Sequence, residues 1–239
     1  MPDPVAMATN PHTANNDRVG DRTLNGHRVQ RRDRLPNATG GLTRLAYARM
    51  KTAGLSPEPM LKAAGLTLGQ IRDPQVRLNV RDQIRFLNLA AVALGDEFLG
   101  FHLAQEADLR ELGLLYYVLA SSERLTDALE RAARYGSIVN ESFVQECHTG
   151  GRTGMSFSYA GVNRTHDRHQ MEFWAAALVR FCRERTGSHI LPIRVRFAHF
   201  RKQVCAEFAE TLGKDVKFGA KVDEIAFAAD VVVRRRVQE

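Results

Sequence analysis

The feature that most limits what this chain can fold into is a change of hydrophobic period. Between Phe143 and Tyr159 the apolar and polar residues alternate in two runs, Phe143 to Cys147 and Met155 to Tyr159, separated by Thr149-Gly150-Gly151-Arg152-Thr153-Gly154. Period two on both sides of a glycine-rich turn predicts a β-hairpin. Upstream of it the period is three to four, which is the spacing of helices with one buried face. Downstream, helical and alternating segments succeed one another. The fold class expected is therefore α+β: a mostly helical first half, then antiparallel strands with packed helices, in a single globular domain.

The helical half has its own punctuation. Leu42, Leu45, Ala46, Ala48 and Met50 share a face, and Gly54 closes that segment. Ser56-Pro57 opens a short helix ending near Gly65, and Gln75 to Leu78 reads as an extended piece. Asn79 is placed to cap a helix carrying Ile84, Leu87, Ala91 and Leu94, which Gly95 ends. A short helix is expected over residues 96–105, a compact buried one over Leu112 to Ser121, and another from Thr126 or Asp127 with Ala128, Leu129, Ala132, Tyr135 and Val139 on one side. After the hairpin, Asp167 to Arg185 reads as a long helix. Met171, Trp174, Leu178 and Phe181 form its core stripe, with Glu172, Arg183 and Glu184 on the other side and Gly187 as the stop. Ile193, Val195 and Phe197 alternate as a half-exposed strand. Gln203 to Leu212 is helical, and Val216 to Phe218 and Glu224 to Phe227 are short strands.

Composition sets the remaining bounds. Residues 1–41 are rich in Asn, Asp, Arg, Pro, Gly and Thr with isolated apolar residues, so they bury too little surface to offset their ordering entropy and are expected to be a disordered tail. The net charge of +7 favours anionic partners in general, but its arginines are scattered apart from Arg31, Arg32, Arg34 and Arg234 to Arg236. The three cysteines, Cys147, Cys182 and Cys205, form no close pair of the kind that zinc and redox motifs require, which suits a reducing compartment. With no secretory leader and no apolar run of membrane-spanning length, the expected location is cytoplasmic, with no membrane partner.

Motifs for chemistry are sparse. Neither a phosphate loop, a nucleophile elbow, a zinc helix nor a dinucleotide fingerprint is present, so no cofactor, no metal and no catalytic residue is expected. His166, Asp167 and His169 have spacing that two ligands on a helix face would share, but Arg164 and Arg168 beside them favour an exposed helix start. The residues able to build a ligand pocket are Tyr116, Tyr117, Arg134 and Tyr135 on two adjacent helices, Trp174 (the only tryptophan) and His199 at a strand end. Each has a plainer reading as core filler or as a hydrogen-bonding turn residue.

Taken together, two blocks carry a family likeness. LRELGLLYYVLASSERLTDALERAARY, residues 109–135, resembles a signature of the effector-binding, arabinose-binding-like N-terminal domain of AraC-type bacterial transcription regulators. IRVRFAH at 193–199, followed by AEFAETLGKDVKFGAKVDEIAFAAD at 206–230, resembles a second block, and the RLNVRDQIRFLNLAA helix is in keeping with both. The resemblance covers residues 42–230. It implies a mostly helical α+β regulatory domain that binds a small-molecule effector or mediates dimerisation, and that is not an enzyme. Family members continue into a DNA-binding domain with two helix-turn-helix units. Here VVVRRRVQE at 231–239 departs from the pattern as an aberrant basic tail. The expectation is a truncated or frameshifted sensor that reaches DNA only through a missing C-terminal domain or a partner. The alternative is a stand-alone antagonist that forms homo- or heterodimers with full-length regulators.

Overall fold

In the computed structural model of the chain, residues 36–150, 152–160 and 166–229 are described. The tail expected over residues 1–41 lies outside the described residues as far as position 35, and the basic tail over 231–239 lies wholly outside them. Residues 36–41 depart from the expectation. Asn37–Ala38 forms β1, antiparallel to β2 (Leu78–Asn79), and Gly41 already opens a helix. Backbone pairing holds this segment where side chains offer little: Thr39 N–H donates to the Val139 carbonyl at 2.8 Å, and Ala38 is buried.

The helical half comprises α1 (Gly41–Thr52), α2 (Glu58–Ala64), α3 (Leu68–Arg72), α4 (Val80–Leu94), α5 (Leu99–Glu106), α6 (Leu114–Ala120) and α7 (Leu125–Tyr135). Its ends follow local chemistry. Asn79 accepts from the Arg81 N–H at the start of α4, and Thr67 with Gln70 closes a capping box on α3. The hairpin follows as β3 (Phe143–His148) and β4 (Arg152–Tyr159), in register Phe143↔Tyr159, Gln145↔Phe157 and Cys147↔Met155. After α8 (Arg168–Thr186) come β5 (Arg194–Arg196), α9 (Ala206–Leu212), β6 (Val216–Lys217) and β7 (Asp223–Ala228).

The sheet order is β3-β4-β7-β5-β6. All its pairs are antiparallel except β5–β6, which is parallel, a departure from the all-antiparallel expectation. The reason is α9, a crossover that returns the chain to the same edge in the same direction. One apolar core runs from Leu42 in α1 to Phe227 in β7, so the α+β architecture is a single packed body.

The long helix α8 is its spine, buried on nearly every side, and this corrects the expected polarity of its faces. Glu172, placed on the outer side by its charge, is fully buried. α6 differs in the other direction. It was expected to be buried, yet Leu114 and Tyr117 are 62% and 59% exposed. Ile193 is likewise exposed, while Val195 and Phe197 are core residues.

A chain of buried polar side chains ties the two halves together. Thr43 Oγ1 donates to Gln83 Oε1 at 3.1 Å, Gln83 Nε2 donates to Gln170 Oε1 at 2.7 Å, and Gln170 Nε2 donates to the Tyr159 hydroxyl. The chain crosses α1, α4, α8 and β4. Gln83→Leu leaves the Thr43 hydroxyl and Gln170 Oε1 buried without these hydrogen bonds, and each orphaned group costs about 1–3 kcal/mol. Urea denaturation is expected to show a loss of about 2–4 kcal/mol, with an unchanged m-value.

Candidate functional site

The 3₁₀ turn Leu109–Leu112, α6, α7, the hairpin and α8 surround one apolar crevice of about 40 Å³. Alternation along the hairpin sends Phe143, Gln145 and Phe157 to the face that α7 and α8 cover. From α8, the one-turn spacing of Trp174 and Leu178 brings both to the same wall. The rings are ordered. Phe143 lies offset-stacked between Phe157, at 5.3 Å and 4°, and Trp174, at 5.6 Å and 24°. Opposite them, Tyr116 meets Phe181 edge-on at 6.2 Å.

Polar groups are few. The Trp174 indole N–H is buried and makes no hydrogen bond to any described residue. The Gln145 side-chain amide and the Tyr116 hydroxyl belong to half-buried residues that also line the crevice. Gly136 gives the Gln145 amide its place, because a Cβ there would come within 1.9 Å of Gln145 Nε2. None of the residues lining the crevice carries a charge.

Of the six residues expected to form a site, the structure brings Tyr116 and Trp174 together here. Tyr117 touches the Tyr116 ring edge-on at 5.5 Å but points its bulk to solvent. Arg134 and Tyr135 are exposed on α7, turned away by the helical rotation that buries Ala128, Leu129 and Ala132. His199 does not reach the crevice. Its Nε2 lies 2.8 Å from Glu172 Oε1, in a buried cluster where Arg201 also binds Glu172, at 2.7 Å through Nη2. Gln145, Phe143 and Phe157 were missed as site residues. Their signal was present: a lone glutamine on the apolar side of an alternating strand.

The His166–Asp167–His169 segment is not the exposed turn expected. His166 is exposed, but His169 is 1% exposed and receives the Gly100 N–H on Nδ1 at 3.5 Å. Burial lowers its pKa to about 4, so it is neutral at pH 7. Cys182 is buried and Cys147 half-buried, and burial pushes both thiols up from their ordinary value, away from the thiolate that redox or nucleophilic chemistry needs. Among the described residues no group of three metal-ligating side chains converges, and no single helix is long and apolar enough to cross a membrane.

The fold is similar to that of the transcriptional regulator CdpR from Pseudomonas aeruginosa, seen in its crystal structure. The TM-score is 0.51 at 13% identity, covering 76% of this chain and 56% of that one. This chain thus spans little more than half the length of that regulator. No curated protein sequence matches. The family model described as the arabinose-binding domain of AraC transcription regulators, N-terminal, matches residues 54–235. That match takes in α2 through β7 with every wall of the crevice, and the chain belongs to this family of AraC-type regulatory domains.

Proposed function

We propose that this domain senses a small-molecule effector in the aromatic crevice, and that occupancy shifts the balance between its conformations. The observation that carries the reading is an aromatic-walled hollow lined by one buried polar group, the Trp174 indole N–H, that no described residue satisfies. Buried polar groups normally find partners, and a bound molecule supplies them. The role is regulatory, not catalytic, because no acid–base pair or activated nucleophile lines the crevice. Contact with DNA is assigned to a separate domain or a partner chain, in the cytoplasm.

The crevice is small as it stands. Its 40 Å³ falls well short of the roughly 150 Å³ that holds a benzene ring. A ligand therefore has to move a wall, and α6 is the wall with two large side chains in solvent. A thermal-shift screen against a broad panel of small molecules tests this. A true effector at about one hundred times its Kd stabilises the fold by about 2.7 kcal/mol. Leu112→Phe fills the half-buried rim and is expected to abolish that gain while changing the free protein's stability by less than about 1.5 kcal/mol. A ligand that stabilises wild type and Leu112→Phe equally binds elsewhere and ends the proposal.

One observation favours a second role, self-association. Leu114 and Tyr117, three positions apart, lie on one exposed face of α6. Sedimentation velocity is expected to show a dimer that Tyr117→Glu dissociates; a monomer in both ends the idea.

A further inference from the structure

We infer that the crevice takes an uncharged, planar aromatic molecule that carries a carbonyl-type oxygen, and not a sugar or an organic anion. The inference rests on the sensing role proposed above and names the chemical class of its ligand.

Four observations combine. The walls contain no cation, so a carboxylate or phosphate would lose its water and gain no counter-charge. The Phe157–Phe143–Trp174 stack and the edge-on Tyr116–Phe181 pair present flat ring faces and ring edges, which complement a further ring. Three polar groups line the crevice: the Trp174 N–H, which is buried without a hydrogen-bond partner among the described residues, and the Gln145 amide and Tyr116 hydroxyl of two half-buried residues. All three can donate, and one carbonyl oxygen, with its two lone pairs, can receive two of them. A pyranose presents four or more hydroxyls and its ring oxygen, so in this lining most of them would be desolvated without a partner.

The single tryptophan gives a direct readout. In a ¹⁵N-labelled sample of the full chain, one indole N–H signal reports Trp174. Methyl benzoate, sodium benzoate and L-arabinose are titrated separately. The expected result is a saturable shift of the indole signal with methyl benzoate, and none with benzoate or arabinose at the same concentrations. Gln145→Leu, checked for an unchanged backbone spectrum, is expected to weaken methyl benzoate about tenfold. A saturable shift with arabinose or benzoate, and none with the ester, overturns the ligand class and leaves the crevice as the sensing site. No shift with any of the three overturns both. An ester affinity that Gln145→Leu leaves unchanged overturns the part assigned to the oxygen.

Discussion

Gly100→Ala is expected to leave the chain unable to reach its native fold. A Cβ at this position would sit 1.8 Å from the His169 carbonyl oxygen and 2.4 Å from its carbonyl carbon. Both are backbone atoms inside α8, so no rotamer change relieves the overlap. Relief requires α5 and α8 to part by more than an ångström. That would unpack Phe101 and Phe173, both almost fully buried, and break the hydrogen bond from Gly100 N–H to the His169 ring. Overpacking against movable side chains costs about 1–3 kcal/mol. Against rigid backbone the loss is expected to reach about 4 kcal/mol or more, a large part of a typical domain's stability. Soluble yield and urea denaturation measure it. Gly54→Ala is the control. Gly54, unlike the helical Gly100, has a positive φ, 74°, and nothing lies within 4 Å of its Cβ position. It is expected to lose only the cost of left-handed backbone, about 1–2 kcal/mol. Equal losses in the two variants would show that the close helix contact is not the cause.

The second large effect sits at Glu172. Burial pushes this carboxyl up, but hydrogen bonds from Arg201 and His199, and their charges, more than reverse it, holding it below its ordinary value. A lowered folded-state pKa means that the cluster's stabilisation is present above the ordinary value near 4.5 and is lost as pH falls through the folded value. Arg201 also lies 4.0 Å from the Phe98 ring centroid and donates to the Glu97 carbonyl, so it pins the loop after β5 onto the α4–α5 corner. Arg201→Met keeps much of the volume and removes the charge. At pH 7.5 it is expected to cost about 3–5 kcal/mol, because Glu172 is left buried with only His199 beside it. The sign of the pH dependence then inverts. With burial dominant, the carboxyl's folded pKa lies above its unfolded one, so the variant loses stability as pH rises through that window. Denaturation at pH 5.0 and pH 7.5 is expected to show the smaller deficit at pH 5.0. A deficit that is the same at both pH values would mean that Glu172 is not what Arg201 compensates.

These two residues also mark what could be read from the chain and what could not. The hairpin, the Asn79 cap and the Gly187 stop were legible because each is written in a few adjacent residues. Glu172 was placed outside because charge is normally exposed, and its true position depends on Arg201, twenty-nine residues away. The parallel β5–β6 pair was hidden in the same way, since strands of three and two residues carry no directional signal. Tyr116 and Trp174, chosen by side-chain type, line the candidate crevice. Arg134, Tyr135 and His199 were chosen on the same ground, and helix rotation or a buried partner takes them elsewhere. Gln145 was legible as a lone glutamine on the apolar side of an alternating strand, but what that side faces is set by α7 and α8.

The Thr43–Gln83–Gln170–Tyr159 chain has a kinetic meaning. Its hydrogen bonds span sequence separations of 40, 87 and 11 residues. Closing the longest of them demands that α4 and α8 already be in place, so the helical half gains its last buried partners only when the sheet half arrives. Neither half is a self-sufficient folding unit on these terms. The amide protons of α1 and β4 are then released by the same opening event, and the domain unfolds as one cooperative body. The Tyr159 ring lies 5.7 Å from Phe143, so the polar chain ends against the aromatic wall of the crevice.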